Sequence, residues 1–284
     1  MIHNLTIKDY FVNLYLRHRY QYLLANNPKS LNTISKASKE GWELTFEDDF
    51  TAPSWHNNPQ QKWIIGEPWG AYHPGWLNKY FAEPVWDGYT NAIFEVKFNP
   101  KEFDSGKVIP YSASWLSTGH LFQQQYGRFE CRMTLPIGVG VWPAFWLWGP
   151  TWPPEIDIIE AYGRDTGYKT THQEFNVHWR NRGNHKQSRP WAVKITDIPR
   201  LTREAYNEFA LEWDENGMYF YTNDIKVFQF TNKRVLNRNF NIPGITPFVV
   251  ININIDKRIG INNVYEDYYS SFAVDYIRVY KKSK

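Results

Sequence analysis

The run Glu155-Ile-Asp-Ile-Ile-Glu160 places three carboxylates within six residues. In a β-strand, residues i and i+2 share a face, so Glu155 and Asp157 lie together while Ile156 and Ile158 lie opposite. A regular continuation would put Ile159 on the acidic face and Glu160 in the apolar interior, where an unpaired carboxylate is costly. A β-bulge removes the conflict. One extra residue lets Ile158 and Ile159 take the place of one and turns Glu160 back to the acidic face. Glu155 and Glu160 are then four effective positions apart, about 13 Å between Cα atoms. Side chains leaning toward each other can bring the carboxyl groups to about 5–5.5 Å, the separation that suits a double displacement at a glycosidic carbon. In that chemistry Glu155 attacks the anomeric carbon, and Glu160 first protonates the leaving oxygen and then activates water. Asp157 shares a proton with Glu155 and helps keep Glu160 protonated, because crowded carboxylates cannot all ionise cheaply. The competing readings are a solvated acidic strand face and a cation site, which three carboxylates can also make.

The neighbouring run Trp142-Pro-Ala-Phe-Trp-Leu-Trp-Gly149 puts Trp142, Ala144 and Trp146 on one face by the same alternation. Indoles beside a carboxylate triad are what a sugar-cleaving cleft requires, since flat pyranose C–H faces stack on aromatic rings. The whole chain is rich in such rings, with 14 Trp, 19 Tyr and 18 Phe among 284 residues. A bulky core is the other use for them, and the two uses are compatible.

The elements that must position these groups are short strands. From Trp42 onward, β-prone runs occur at Trp42–Phe46, Asn91–Phe98, Tyr126–Leu135, Phe209–Trp213, Met218–Tyr221, Ile225–Phe230, Pro247–Ile255 and Phe272–Tyr280. The stretch Asp214-Glu215-Asn216-Gly217 reads as a hairpin turn. Many short strands with turn punctuation and no internal repeat predict an all-β fold, a β-sandwich. Residues 1–40 differ: Leu5, Ile7, Phe11, Leu14, Tyr15 and Leu24 fall loosely at helical spacing. They predict a short helical N-terminal extension, packed on the main domain or serving for attachment, with residues 41–284 forming the catalytic domain.

Composition excludes other classes. A net charge of +3 without a long basic run gives nucleic-acid binding little support. No apolar stretch reaches the roughly 18 residues of a transmembrane helix. The single cysteine, Cys131, allows no intrachain disulfide. It alternates with Phe129, Met133 and Leu135 and reads as a core thiol. No export signal is visible, because Asp9, Asn13, Arg17 and Arg19 interrupt the apolar residues near the start.

These runs resemble family 16 of the glycoside hydrolases, in its bulged-motif laminarinase, agarase, carrageenase and porphyranase group. Tyr126-Gly-Arg-Phe-Glu130 and Trp142-Pro-Ala-Phe-Trp146 resemble characteristic runs of that family. Trp42–Phe50 is similar to its first strand and Val274–Tyr280 to its last. The resemblance spans roughly residues 41–282. It implies a two-sheet jelly-roll with a cleft on the concave face, Glu155 as nucleophile, Asp157 as helper and Glu160 as acid/base. It also implies a histidine beside the subsite, for which His178 is the candidate and His172 the alternative. Trp146 resembles the family's stacking tryptophan, and Trp142 is a second platform. Trp115 and Trp69 line outer subsites or pack in the core; Trp213 is expected in the core. Some members carry a structural calcium, for which Asp275, with Asp49, is the candidate ligand. No cofactor is required for catalysis.

The expected activity is therefore retaining endo-cleavage of a β-linked polysaccharide, a β-1,3-glucan or a galactan such as agar, porphyran or carrageenan. The substrate places the protein outside the cell, as an expected monomer without a membrane span. Rival functions on the same fold are a non-catalytic carbohydrate-binding module and a virion attachment protein. The intact triad favours the enzyme. A basic insert at residues 180–200, with Arg180, Arg182, His185, Lys186, Arg189 and Arg200, is either a solvated loop or a reader of sulfate or carboxylate groups.

Overall fold

The computed structural model describes residues 40–55, 61–66, 80–103, 106–136, 138–162, 172–198, 201–203, 205–256 and 264–283. The expected N-terminal helices, Trp69 and Arg200 lie outside the described residues. The described chain runs through β1 (Trp42–Asp48), β2 (Ile64–Ile65), β3 (Tyr80–Ala82), β4 (Val85–Trp86), β5 (Ala92–Glu102) and β6 (Val108–Ser117). It continues through β7 (Gly127–Met133), β8 (Val141–Trp148), β9 (Glu155–Glu160), β10 (His172–Arg180), β11 (Lys186–Ser188) and β12 (Trp191–Lys194). Then come β13 (Asn207–Asp214), β14 (Gly217–Thr222), β15 (Ile225–Phe230), the helix α1 (Lys233–Asn239), β16 (Phe248–Ile255) and β17 (Tyr269–Lys282). Every strand expected from the sequence is present.

The strands form a two-sheet sandwich. In the back sheet, β17 pairs with β1 and β5 along one edge and with β7 along the other, and β13, β14 and β15 follow β7. In the front sheet the order is β2, β6, β16, β8, β9, β10, with β11 and β12 both pairing with β10. Strand β6 belongs to both sheets: its first half pairs with β5 and its last residues with β16. The two layers are thereby tied through one continuous strand. The β13–β14 hairpin turns where expected, with Asp214 Oδ1 accepting the backbone N–H groups of Asn216 and Gly217.

Period-two alternation fills the space between the sheets. The back sheet contributes Phe94, Val96, Phe129, Cys131, Met133, Phe209, Leu211, Trp213, Ile277 and Val279. The front sheet contributes Phe145, Leu147, Ile156, Ile158, Ile159, Phe175, Val177, Ile251 and Ile253. Each such large side chain contributes about 1.5–3 kcal/mol on full burial. A separate cluster joins Trp115, Ala144, Trp146, Phe248 and Val250, with Phe81 and Trp148 against it. These alternate with the core residues of β8 and β16, so they lie on the other face of the front sheet. That second covering explains why β16 is buried at every position.

Candidate active site

Strand β9 lies between β8 and β10, with its register fixed on both sides. Against β8, Glu155 faces Trp148, Asp157 faces Trp146 and Glu160 faces Ala144; Ile159 faces Phe145 and Ile158 is passed over. Against β10, Glu155 faces His178, Asp157 faces Asn176 and Glu160 faces Glu174, so three steps on β9 oppose two on β10. The expected bulge is therefore present at Ile158. Both Ile158 and Ile159 enter the core, and Glu160 rejoins the face of Glu155 and Asp157.

Each carboxylate meets a specific donor. Trp152 Nε1 donates to Glu155 Oε2 at 2.5 Å, and Trp142 Nε1 donates to Glu160 Oε1 at 2.9 Å. His178 Nε2 lies 3.1 Å from Asp157 Oδ2 and 3.4 Å from Glu155 Oε1. Trp146 Nε1 donates to Asn252 Oδ1 at 2.7 Å, which fixes the indole against the neighbouring strand β16. Trp148 stacks on Trp152 with centroids 6.2 Å apart and planes at 20°. The result is a continuous aromatic wall from Trp146 through Trp148 to Trp152 beside the acids.

Burial dominates the electrostatics. The Glu155 side chain retains 14% exposure and Asp157 5%. Burial, and after it the Asp157 charge, push the Glu155 carboxyl up to about 8 against the opposing effects of His178 and the Trp152 N–H. Asp157 is also raised by burial, opposed by its hydrogen bond with Glu155. That hydrogen bond raises Glu155 and lowers Asp157, which puts the shared proton on Glu155 and the charge on Asp157. Burial raises Glu160 well above the ordinary carboxylate range, and the charges of Asp157, Glu174 and Glu155 add to this. Such a site holds one carboxyl protonated beside another that can ionise, which is the division general-acid and nucleophilic roles require.

The structure brings Trp142, Trp146 and His178 to the triad. His172 begins β10, six residues from His178, and pairs with Lys194 of β12. Trp115 is fully buried, packed on Phe81 and edge-on to Trp146. It supports the cleft floor, so of the two alternatives for Trp115, packing holds and direct sugar contact does not. Trp213 is in the core, as expected. Sequence reasoning missed Trp148, Trp152 and Asn252. For Trp148 the signal was available, because it is the next residue in the alternation 142, 144, 146. Trp152 sits in a loop where alternation gives no guidance.

The calcium ligand expected at Asp275 does not fit. Its carboxylate is bound by the Arg132 guanidinium, a neighbour that opposes a cation. Asp49 caps its own turn through Thr51. Among the described residues, the group with ligand atoms in metal-binding range is Glu155, Asp157 and His178, all within 4.8 Å of one another. A cation there would require both carboxylates ionised, which burial opposes, and would compete with the Trp152 N–H.

The basic insert divides. Arg180 Nη2 donates to the Trp152 carbonyl at 2.9 Å, and Lys186 Nζ lies 4.1 Å above the Trp152 ring. Arg182 is exposed. Arg189 is buried, with its backbone N–H bonded to Asn176 Oδ1, and is not available to read a ligand as expected.

The family model for Glycosyl hydrolases family 16 matches residues 86–255. The chain is similar to endo-1,3-1,4-beta-glycanase EglC of Rhizobium meliloti (strain 1021), 32% identical over 195 residues. That alignment covers 67% of this chain and 36% of the relative, so the chain spans about a third of the relative's length. Similarity to the beta-glucanase of Rhodothermus marinus is 26% over 265 residues, covering 84% of this chain and 85% of that protein. In fold, the chain resembles the catalytic domain of the endo-1,3-beta-glucanase (laminarinase) from Thermotoga petrophila RKU-1. The TM-score is 0.67 at 23% identity, over 86% of this chain and 99% of that one.

Proposed function

Because the chain belongs to family 16 of the glycosyl hydrolases, we propose that it is a retaining endo-glycoside hydrolase that cleaves a β-linked polysaccharide, with Glu155 as nucleophile and Glu160 as acid/base. The observation that carries this reading is the bulge at Ile158, which turns three acids to one face, with Trp152 donating to Glu155 and Trp142 to Glu160. Glu155 attacks the anomeric carbon as the glycosidic C–O bond breaks, and Glu160 delivers its proton to the departing oxygen. Glu160, now a carboxylate, takes a proton from water, whose oxygen displaces Glu155 and restores the starting configuration. Asp157 exchanges a proton with Glu155, so the nucleophile ionises when substrate is in place. His178, across the strand from Glu155, orients both carboxylates. Trp142 and Trp146 supply platforms for the sugar rings, extended by Trp148 and Trp152.

The substrate is a β-1,3-glucan or a galactan of the agar, porphyran or carrageenan type, and the names of the two curated relatives support the glucan. The protein acts outside the cell as a monomer; among the described residues no helix is long and apolar enough to cross a membrane. The test is a panel of laminarin, mixed-linkage glucan, agarose, porphyran and carrageenans, with product sizing and NMR of the first products. Oligosaccharides released with retained anomeric configuration, and lost in Glu155→Gln, are expected. Inversion, or full activity in Glu155→Gln, would overturn the assignment.

A further inference from the structure

A second feature lies beyond the Glu155 end of the cleft and takes no part in bond cleavage. Where β10 ends, Arg180 and the turn that follows it face α1. Two adjoining hollows of about 320 and 580 Å³ lie between hairpin and helix, and both are lined by Arg180, Arg182 and Arg238. Arg234 and Trp179 complete the smaller one. Arg234 and Arg238 stand four residues apart on α1, hence on one face. Asn239 fixes the helix to the strand, its Oδ1 accepting the Arg180 backbone N–H at 3.0 Å. Four arginines therefore line the smaller hollow.

None of the four arginines has a carboxylate partner among the described residues. Arg180 donates to the carbonyls of Asn184 and Trp152, which are neutral acceptors. Arg182, Arg234 and Arg238 are exposed, so water moderates their mutual repulsion, and an anion entering the hollow would meet all of these charges together. The planar fork of arginine matches a sulfate or carboxylate with paired hydrogen bonds.

The hollow is also coupled to the cleft. Arg180 holds the Trp152 carbonyl, and the Trp152 indole donates to Glu155. Lys186, opposite Arg180 in register, caps the Trp152 ring. A glycan extending from the Glu155 end of the cleft past the Trp152 ring would reach the arginines. We propose that this hollow is a subsite for an anionic group, a sulfate ester or a uronate carboxylate, on a sugar of the substrate polysaccharide. The proposal rests on the glycanase reading and narrows its substrate to a charged glycan.

Affinity electrophoresis tests it, in native gels containing porphyran, alginate or desulfated porphyran. A Glu155→Gln parent keeps the polysaccharide uncut. Retention of the parent by porphyran identifies sulfate, and retention by alginate identifies carboxylate. Adding Arg234→Gln and Arg238→Gln should weaken that retention at least about tenfold, the loss expected when charge-assisted hydrogen bonds are removed, and leave the desulfated gel unaffected. Lys281→Gln/Lys282→Gln removes the same charge elsewhere and should change little. Arg182→Gln, on the hairpin, gives the same readout should the helix variant fail to fold. A parent retained by neither anionic gel, or equal losses in the arginine and lysine variants, would overturn the subsite. Hydrolysis is read separately, with Glu155 restored: if the otherwise unsubstituted protein cuts no polysaccharide, the glycanase reading fails while gel retention still decides the subsite.

Discussion

At the scale of single residues, the Trp152 indole joins His178 in favouring the charged form of Glu155. Replacing it with Phe removes an N–H that stabilises the carboxylate, so the Glu155/Asp157 pair should hold its proton to higher pH. The acid limb of the kcat/KM profile in Trp152→Phe is expected to move upward, while the alkaline limb, set by Glu160, stays in place. An unmoved acid limb would show that the indole does not act on the nucleophile. The same carboxyl also affects stability. Glu155 is raised from 4.5 to about 8 in the fold, so between those values the folded state binds more protons than the unfolded one. Stability is therefore fully present below the unfolded value and is lost as pH rises through the folded one. Glu155→Gln has no such proton to lose. Its unfolding free energy, read from urea titrations, should exceed the parent's above about pH 8 by on the order of a few kcal/mol, with the urea midpoint higher accordingly, and converge with it at about pH 4. Equal midpoints at alkaline pH would contradict the burial argument. The sequence made the acids legible, because alternation and a bulge leave few arrangements, while His178 came only through the family resemblance. It hid Trp152, whose contact with Glu155 arises from loop geometry.

At the scale of elements, the bulge carries a sharp expectation. Deleting Ile158 leaves Glu-Ile-Asp-Ile-Glu, in which regular alternation already puts all three acids on one face. The β8 and β10 registers would then match step for step. The deletion variant should fold and retain measurable activity, reduced about 10- to 100-fold because the two glutamates shift relative to each other by a fraction of a residue repeat. Deleting Ile156 instead reverses the facing of Glu155 against Asp157 and should abolish activity. Circular dichroism with product assays checks both, and equal behaviour of the two deletions would remove the bulge from the argument. The strands were legible because period two persists over many residues. Helix α1 was not, since its seven residues are too few to show a period. The arginine hollow was hidden for the same reason: Arg182 lay in an evident basic stretch, but Arg234 and Arg238 come from an element not anticipated. Arg189, which the stretch did suggest, is buried.

At the scale of the whole molecule, two sheets share one strand and enclose one large apolar layer; the sequence disclosed the sandwich through its many short strands, but not the shared strand β6. Which alternating face met the other sheet was clear for most strands. It was not clear for Trp115, because β6 crosses between sheets and its last residues lie in the second cluster, on the cleft side of the front sheet. The centre of the apolar layer holds Cys131, opposite Phe209 on β13 and Ile277 on β17. Burial raises its thiol well above the usual cysteine range. As the chain's single sulfhydryl, it makes the protein its own chemical clock. A maleimide can capture it only when the back sheet parts, so the labelling rate measures how often the interior opens. In native buffer the thiol should stay unmodified while catalysis continues, and with added urea capture should rise in step with loss of ellipticity. Labelling that runs ahead of ellipticity would reveal a partial opening along β7 that leaves the remaining strands paired.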